Sequence, residues 1–113
     1  MIFTKWKSLG MALATVMVST AAHAADFTVE QQNKTFVYDG EQIEEFTIKA
    51  GDTIHFQNDD PFFHNIFSLS DLKTFDLGSY PAGQSKSVTF DSPGEVEIEC
   101  AIHPEMYLLL TVE

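Results

Sequence analysis

Short stretches in which apolar and polar residues alternate recur along this chain, and they constrain its fold more than any other feature. Residues 53–57 place Ile54 and Phe56 on one face, and residues 95–100 alternate glutamates with apolar side chains. Period two is the side-chain repeat of a β-strand, whereas a helix repeats every 3.6 residues. Because residues 25–113 contain no convincing helical period, the pattern predicts an all-β fold.

Turn-forming residues separate these alternating stretches at intervals of about eight to twelve residues. They include Asp39-Gly40, Gly51-Asp52, Pro81-Ala82-Gly83 and Pro93-Gly94. Seven or eight short strands divided in this way are typical of an antiparallel or mixed sandwich. We therefore predict a Greek-key β-sandwich of seven to eight strands. Segment 70–79 has the weakest pattern and is expected to hold one turn of helix or an irregular crossover.

Residues 1–24 have the pattern of a targeting signal. Two lysines supply a positive start, an uncharged apolar stretch follows, and residues 22–24 read Ala-His-Ala, with small residues flanking a signal-peptidase site. A transmembrane anchor is the alternative, but the uncharged stretch is shorter than the roughly 20 apolar residues that a span requires. We expect cleavage after Ala24, export to the periplasm and no stable membrane span afterwards.

The charge of the chain restricts its partners. The sequence has 6 lysines, no arginine and 17 acidic residues, which gives a net charge of −11. Removal of residues 1–24 takes away two lysines and no acid, so residues 25–113 carry −13. Binding to a phosphate backbone needs clustered lysine and arginine, and the composition therefore excludes nucleic acid as a partner.

Residues 25–113 are long enough for one domain and contain a single cysteine, Cys100. Small exported domains usually gain stability from disulfides, but one cysteine cannot form an internal disulfide. A bound metal ion is the other common source of stability. The single cysteine therefore favours a metal-binding site over a disulfide.

The one cysteine and the one methionine of residues 25–113 lie in a single segment, Cys100-Ala-Ile-His103-Pro-Glu-Met106. This segment falls between two predicted strands and is therefore interpreted as a loop. Thiolate and thioether donors together favour copper over Mg²⁺ or Ca²⁺. A second imidazole would complete a set of two histidines and one cysteine with a weak axial sulfur. His64, which follows a predicted turn at Asp59-Asp60-Pro61, is the candidate.

Taken in order, these residues resemble those of the cupredoxins, the small blue-copper proteins, and within them the plastocyanin and amicyanin group. The similarity covers nearly all of residues 25–113. It includes Gly51-Asp52-Thr53-Ile54, Phe56, Asn58, His64-Asn65-Ile66, Phe75-Asp76-Leu77-Gly78 and Pro93-Gly94. The Cys-x₂-His-x₂-Met spacing is similar to the shorter amicyanin loop. The resemblance implies one type 1 copper per chain, with His64, Cys100 and His103 as strong ligands and Met106 as a long axial ligand.

The resemblance also implies a function. A carrier of this kind passes single electrons between redox partners as copper alternates between Cu(II) and Cu(I), and a closed ligand set leaves no position for a substrate, so catalysis is not expected. The expected partners of a monomeric carrier are redox proteins, such as a c-type cytochrome or a periplasmic dehydrogenase. An apolar collar around His103 would suit brief docking. It would consist of Phe62, Phe63, Ile102 and Pro104.

Other interpretations of the same residues remain open. The protein could store or deliver copper in the periplasm, or use a cupredoxin-like fold only for protein contacts. Cys100 could be an inert buried residue, His64 a hydrogen-bonded loop histidine and Met106 plain core packing. His55 lies on the strand face opposite Ile54, and we interpret it as a surface residue without a role in the site.

One departure from the family pattern lies beside the cysteine. Many cupredoxins carry serine or threonine directly after the cysteine ligand, where the hydroxyl can bond the asparagine that follows the first histidine. This chain has Ala101 there, so we expect Asn65 to find only backbone partners in that loop. Backbone N–H groups near Asn65 are expected to donate to the sulfur of Cys100.

Overall fold

A computed structural model describes residues 23–113, and the predicted signal segment therefore lies almost entirely outside the described residues. Within this range the chain forms ten β-strands and no helix. The strands are β1 (Asp26–Gln32), β2 (Thr35–Tyr38), β3 (Glu41–Gln42), β4 (Glu45–Ile48), β5 (Asp52–Asn58), β6 (His64–Ser68), β7 (Phe75–Tyr80), β8 (Ser85–Phe90), β9 (Gly94–Cys100) and β10 (Tyr107–Val112). None of the residues in this range belongs to a helix that could cross a bilayer.

The strands form two five-stranded sheets, which confirms the predicted Greek-key β-sandwich but gives ten strands instead of the seven or eight expected. The first sheet has the order β3-β2-β1-β5-β8, and the second has the order β4-β10-β9-β6-β7. The pairs β1–β5 and β4–β10 are parallel and the other pairs are antiparallel, so the sandwich is mixed. Between β3 and β4 the chain passes from the first sheet to the second. This change of sheet explains why the apolar residues Ile43, Phe46 and Ile48 depart from period-two spacing.

The inward faces of the sheets carry the residues that alternation had placed there. These buried side chains include Ile54, Phe56, Val88, Phe90, Val96, Ile98, Leu108 and Leu110. Full burial of such a side chain contributes about 1.5–3 kcal/mol relative to leaving it exposed. Cys100 and Met106 belong to the same core cluster. The core thus extends to the end of the sandwich at which the candidate ligands lie.

The structure corrects the expectation for segment 70–79. Its second half is strand β7, which pairs with β6, rather than a turn of helix or an irregular crossover. The pairing contains a register shift between Asn65 and Phe67, and Gly78 has a positive φ of 69°. These two irregularities remove the clean alternation from a strand at the edge of its sheet, which is why the pattern was weak there.

Neighbouring strands of the second sheet bring two candidate ligands to one end of the sandwich. His64 is the first residue of β6, and Cys100 is the last residue of β9. The two strands are antiparallel, with Ile66 opposite Cys100. The start of one strand therefore lies beside the end of the other, and the 101–106 loop leaves from that point.

Candidate metal centre

Three potential metal ligands converge at this end of the sandwich. One ligand atom from each of His64, Cys100 and His103 lies within 4.8 Å of the others. The Sγ atom of Cys100 is 3.5 Å from Nδ1 of His64 and 3.8 Å from Nδ1 of His103. Metal–donor bonds of about 2.0–2.3 Å in a trigonal set give edges of about 3.5–4 Å. The three atoms therefore fit around a single metal ion.

The chemistry of the donors selects the metal. One thiolate sulfur and two imidazole nitrogens form the trigonal set that blue-copper sites use, whereas Mg²⁺ and Ca²⁺ prefer oxygen ligands. Within residues 23–113 no other convergent group of three histidine, cysteine or acidic side chains has this composition. The set fits one type 1 copper.

The two histidines of the candidate site, His64 and His103, differ in burial. His64 and Cys100 are buried, whereas His103 is half-buried and lies in the loop that reaches the surface. Around this loop Phe63 is 55% exposed and Ile102 is 48% exposed. Of the three candidate ligands, His103 is therefore the one that lies closest to solvent, next to exposed apolar side chains.

Only part of the expected apolar collar is exposed. Pro104 is exposed along with Phe63 and Ile102, but Phe62 is half-buried. The ring centroid of Phe62 lies 5.4 Å from that of His64 and 5.0 Å from that of His103. Phe62 therefore packs against both imidazoles and restricts their movement, which is a positioning contact that the sequence did not reveal.

Main-chain groups around Cys100 behave as expected. The N–H of Asn65 donates to Sγ of Cys100 at 3.4 Å, and the N–H of Ala101 donates to the carbonyl oxygen of Asn65 at 2.9 Å. The buried Oδ1 atom of Asn65 has no hydrogen-bond partner in the described part of the protein. This agrees with the expectation that alanine at position 101 leaves the asparagine side chain without its usual donor.

Met106 is buried directly before β10. Its N–H donates to the carbonyl oxygen of His103 at 3.0 Å, which closes a tight turn in the 101–106 loop. The turn brings the main chain of Met106 next to that of His103. Its role as the axial ligand stays a prediction.

Asp60 is a buried residue of the site that sequence reasoning treated only as part of a turn. Its Oδ2 atom lies 2.7 Å from Nε2 of His64, and its carboxylate also accepts hydrogen bonds from the N–H groups of Asn33 and Lys34. Burial raises the pKa of Asp60, but the hydrogen bonds from Lys34, His64 and Asn33 outweigh it and hold the pKa below its usual range. Asp60 therefore places a carboxylate behind the ring of His64.

Buried amide and phenol groups fix the loop that carries Asp60. The Nδ2 group of Asn58 donates to the carbonyl oxygens of Phe62 and Tyr80, at 2.7 and 3.1 Å, and its Oδ1 accepts from the N–H of Asp60 at 2.9 Å. The hydroxyl of Tyr80 donates to Oε1 of Gln31 at 2.8 Å. Burial, followed by the nearby charge of Cys100, raises the pKa of Tyr80 far above its usual value, so Tyr80 remains a neutral donor.

His55 lies outside this site, as interpreted from the sequence. It lies in β5, its side chain is 41% exposed, and its Nε2 atom is 3.0 Å from Oδ1 of Asp26. On the outer face of the last strand, Tyr107 is exposed and Leu109 is half-buried.

Several solved structures share this fold. Amicyanin from Paracoccus versutus is 24% identical with a TM-score of 0.67, and the match covers 84% of this chain and 86% of that chain. The Cu(I) form of an amicyanin variant is 23% identical with a TM-score of 0.68, covering 83% of this chain and 87% of that one. A copper-containing nitrite reductase from Thermus scotoductus is 24% identical with a TM-score of 0.68, over 78% of this chain but only 22% of that chain.

A family-level match covers the whole domain. A search of curated protein sequences found no significant match. Residues 24–113, however, match the family described as copper binding proteins, plastocyanin/azurin family. This range contains both sheets and all of the candidate ligands. The chain therefore belongs to the plastocyanin/azurin family of copper-binding proteins, the cupredoxins.

Proposed function

We propose that this protein is a type 1 copper electron carrier, with His64, Cys100 and His103 as the strong ligands and Met106 as the axial ligand. The observation that carries the proposal is the convergence of one sulfur and two imidazole nitrogens at separations that suit a single ion. When bound in such a set, copper supplies a one-electron couple between Cu(II) and Cu(I).

The fold keeps these donors from rearranging. His64 and Cys100 belong to hydrogen-bonded neighbouring strands, and the half-buried ring of Phe62 packs against both histidines. A site that holds one geometry in both oxidation states needs little reorganisation when an electron arrives or leaves. The N–H of Asn65 withdraws electron density from the sulfur of Cys100, and such a hydrogen bond tunes the potential.

His103 is the proposed point of electron exchange. It is half-buried beside the exposed side chains of Phe63 and Ile102, so a partner can approach the site across a small apolar surface. Transient redox complexes bury small interfaces of this kind. We propose a redox protein as the partner, with a c-type cytochrome or a periplasmic dehydrogenase as the expected classes. The net charge of −13 on residues 25–113 attracts a basic one.

We further propose that the protein is a carrier rather than an enzyme. The proposed set of three strong donors and one axial methionine would fill the positions around one ion, which would leave none for a substrate. The similarity to nitrite reductase covers 22% of that longer chain, so it supports a shared fold and not a shared reaction.

Export to the periplasm rests on residues 1–24. The positive start, the uncharged stretch and the Ala-His-Ala ending support removal by a signal peptidase. Cell fractionation and N-terminal sequencing test this proposal. A periplasmic chain that begins at Ala25 is expected, and an uncleaved chain in the membrane fraction would contradict it.

Voltammetry of the copper-loaded protein, combined with a Cu(I) chelator, separates the carrier from the alternative of copper storage or delivery. A carrier gives a reversible one-electron response and keeps Cu(I) in the presence of the chelator. A storage or delivery protein releases Cu(I) readily, and that result would overturn the proposed function.

A further inference from the structure

The carboxylate of Asp60 has more donors around it than an ordinary turn residue. Its Oδ1 atom accepts the N–H of Asn33 at 2.6 Å, and its Oδ2 atom accepts the N–H of Lys34 at 3.0 Å. The same Oδ2 atom lies 2.7 Å from Nε2 of His64. Asp60 is 4% exposed and His64 is fully buried, so water has little access to this contact.

The turn between β1 and β2 holds the carboxylate in place. Asn33 and Lys34 both adopt positive φ angles, 51° and 57°, which direct their successive N–H groups to the same side. Such a pair of N–H groups forms a concave binding site for an anion. The orientation of Asp60 is therefore set by residues that lie 26 and 27 positions earlier in the chain.

The contact determines which nitrogen of His64 is free. A carboxylate accepts a hydrogen bond, so Nε2 must carry the proton when Asp60 faces it. In the neutral ring the other nitrogen, Nδ1, is then unprotonated, and it lies 3.5 Å from Sγ of Cys100. This is the tautomer that a metal ion at the candidate site requires.

We propose that Asp60 is a positioning residue of the metal centre, which fixes the Nε2–H tautomer and ring orientation of His64 and lowers the copper potential. The proposal rests on the proposed function, because it assigns a role toward the same ion. A negative charge behind the imidazole stabilises Cu(II) more than Cu(I), since Cu(II) carries the greater charge. A carboxylate behind a metal-bound histidine also makes the ring a stronger donor.

Asp59 provides a matched control in the adjacent position. It is exposed, and its carboxylate contacts the side-chain amides of Gln57 and Gln32 rather than a histidine. The variants Asp59→Asn and Asp60→Asn remove the same unit charge one residue apart. A difference between the two variants therefore cannot come from net charge alone, and the tautomer of His64 tests the contact itself.

The first experiment needs neither a variant nor a metal ion. Nitrogen-15 NMR of the metal-free protein at pH 8 assigns the proton on each histidine ring, with exposed His55 as the internal reference. The expected result is a single His64 tautomer with the proton on Nε2 and a bare Nδ1. A His64 ring whose Nε2 is bare would overturn the proposal. This result does not depend on whether the protein carries electrons.

The second experiment measures the copper potential of the wild-type protein, Asp59→Asn, Asp60→Asn and Asp60→Glu. Asp60→Asn is expected to lose about tenfold more affinity for Cu(II) than for Cu(I), which raises a one-electron potential by about 59 mV. Asp59→Asn is expected to change the potential much less, because water and salt screen an exposed charge. Asp60→Glu restores the carboxylate and is expected to bring the potential back toward the wild-type value.

Equal shifts in Asp59→Asn and Asp60→Asn would overturn the positioning role, because net charge alone would then explain them. A wild-type protein that forms no blue copper site would instead refute the proposed function and leave the metal-free NMR result standing. The two failures are therefore distinguishable.

Discussion

The described part of the protein contains two histidine–aspartate pairs, and only one of them belongs to the candidate metal centre. His64 and Asp60 are 2.7 Å apart with side chains that are 0% and 4% exposed. His55 and Asp26 are 3.0 Å apart with side chains that are 41% and 71% exposed. The distances are nearly the same, but one pair is buried and the other is exposed to solvent.

This difference shows that a close pair is not in itself evidence of a functional site. Water competes for the exposed pair, and such pairs contribute about 0–1 kcal/mol. In the buried pair the second ring nitrogen of His64 faces the sulfur of Cys100, and Phe62 packs against the ring. Burial and a further donor on the far side of the ring distinguish the candidate ligand from the surface residue.

The largest expected effect comes from removing the histidine of the buried pair, with removal of the histidine of the exposed pair as the control. His64→Ala takes one of three strong donors from the site and admits water, so the blue Cu(II) form is expected to bleach or disappear. His55→Ala removes an exposed side chain and is expected to leave the spectrum unchanged. Visible spectra of the two copper-loaded variants make the comparison. Equal loss of colour in both would show that the site is not confined to the buried pair.

A substitution of Met106 tests whether this buried residue is a copper ligand, as His64 is proposed to be, or only part of the core. Met106→Leu keeps an apolar side chain but removes the thioether, so the protein is expected to bind copper and stay coloured. The potential is expected to rise by about 59 mV, equivalent to a tenfold change in relative affinity, because loss of a donor disfavours Cu(II) more than Cu(I). Voltammetry measures the shift, and Met106→Gln is expected to lower the potential. An unchanged potential in Met106→Leu would identify Met106 as core packing.

A third aspartate, Asp52, makes it possible to distinguish the effect of burial from the effect of contact with a candidate ligand. Asp52 is buried and accepts the N–H groups of Ala25 and Lys49, each at 2.8 Å, but faces no histidine. The hydrogen bond from Ala25, followed by that from Lys49, holds the pKa of Asp52 below its usual value. Its contribution to stability is therefore complete above about pH 4 and is lost as the pH falls through the lower native pKa.

The variant Asp52→Asn is expected to make the stability of the metal-free protein less dependent on pH below about pH 4. It is expected to leave the copper spectrum and potential unchanged. Asp26→Asn, which alters the exposed pair, serves as the control. Denaturant unfolding between about pH 2 and pH 6 provides the measurement. An acid profile of Asp52→Asn that is identical to the wild-type profile would contradict the account.

The smallest expected effect concerns the buried acceptor Oδ1 of Asn65, which has no hydrogen-bond partner within residues 23–113. Ala101→Thr offers a hydroxyl donor nearby, whereas Ala101→Val has the same shape without the donor. The threonine variant is expected to be more stable than the valine variant by about 0.5–1.5 kcal/mol in denaturant unfolding of the metal-free protein. Equal stability would mean that the hydroxyl does not reach Oδ1.

The strands were predictable because each sheet has one buried face. Period-two alternation identified β5, β8, β9 and β10 and the side of each strand that faces the core. Strand β7 was not predicted, because the register shift and Gly78 interrupt the pattern. The two-residue strand β3 is too short to show any period, and so the sandwich has more strands than the seven or eight expected.

The candidate ligands were predictable because their residue types are scarce in residues 25–113. One cysteine, one methionine and three histidines leave few ways to build a soft metal site. Asp60 was not predictable, because Asn58-Asp59-Asp60-Pro61 has the composition of a turn and its main-chain donors lie at positions 33 and 34. Only the folded chain shows which of two adjacent aspartates faces the histidine.

The visible spectrum of the purified protein with one equivalent of Cu(II), measured beside the Cys100→Ser variant, tests the central claim most directly. The blue band of a type 1 site requires charge transfer between Cu(II) and a thiolate, and residues 25–113 contain one thiol. The account predicts an intense blue colour in the wild-type protein and none in Cys100→Ser. A colourless wild-type protein, or a serine variant that stays blue, would contradict it.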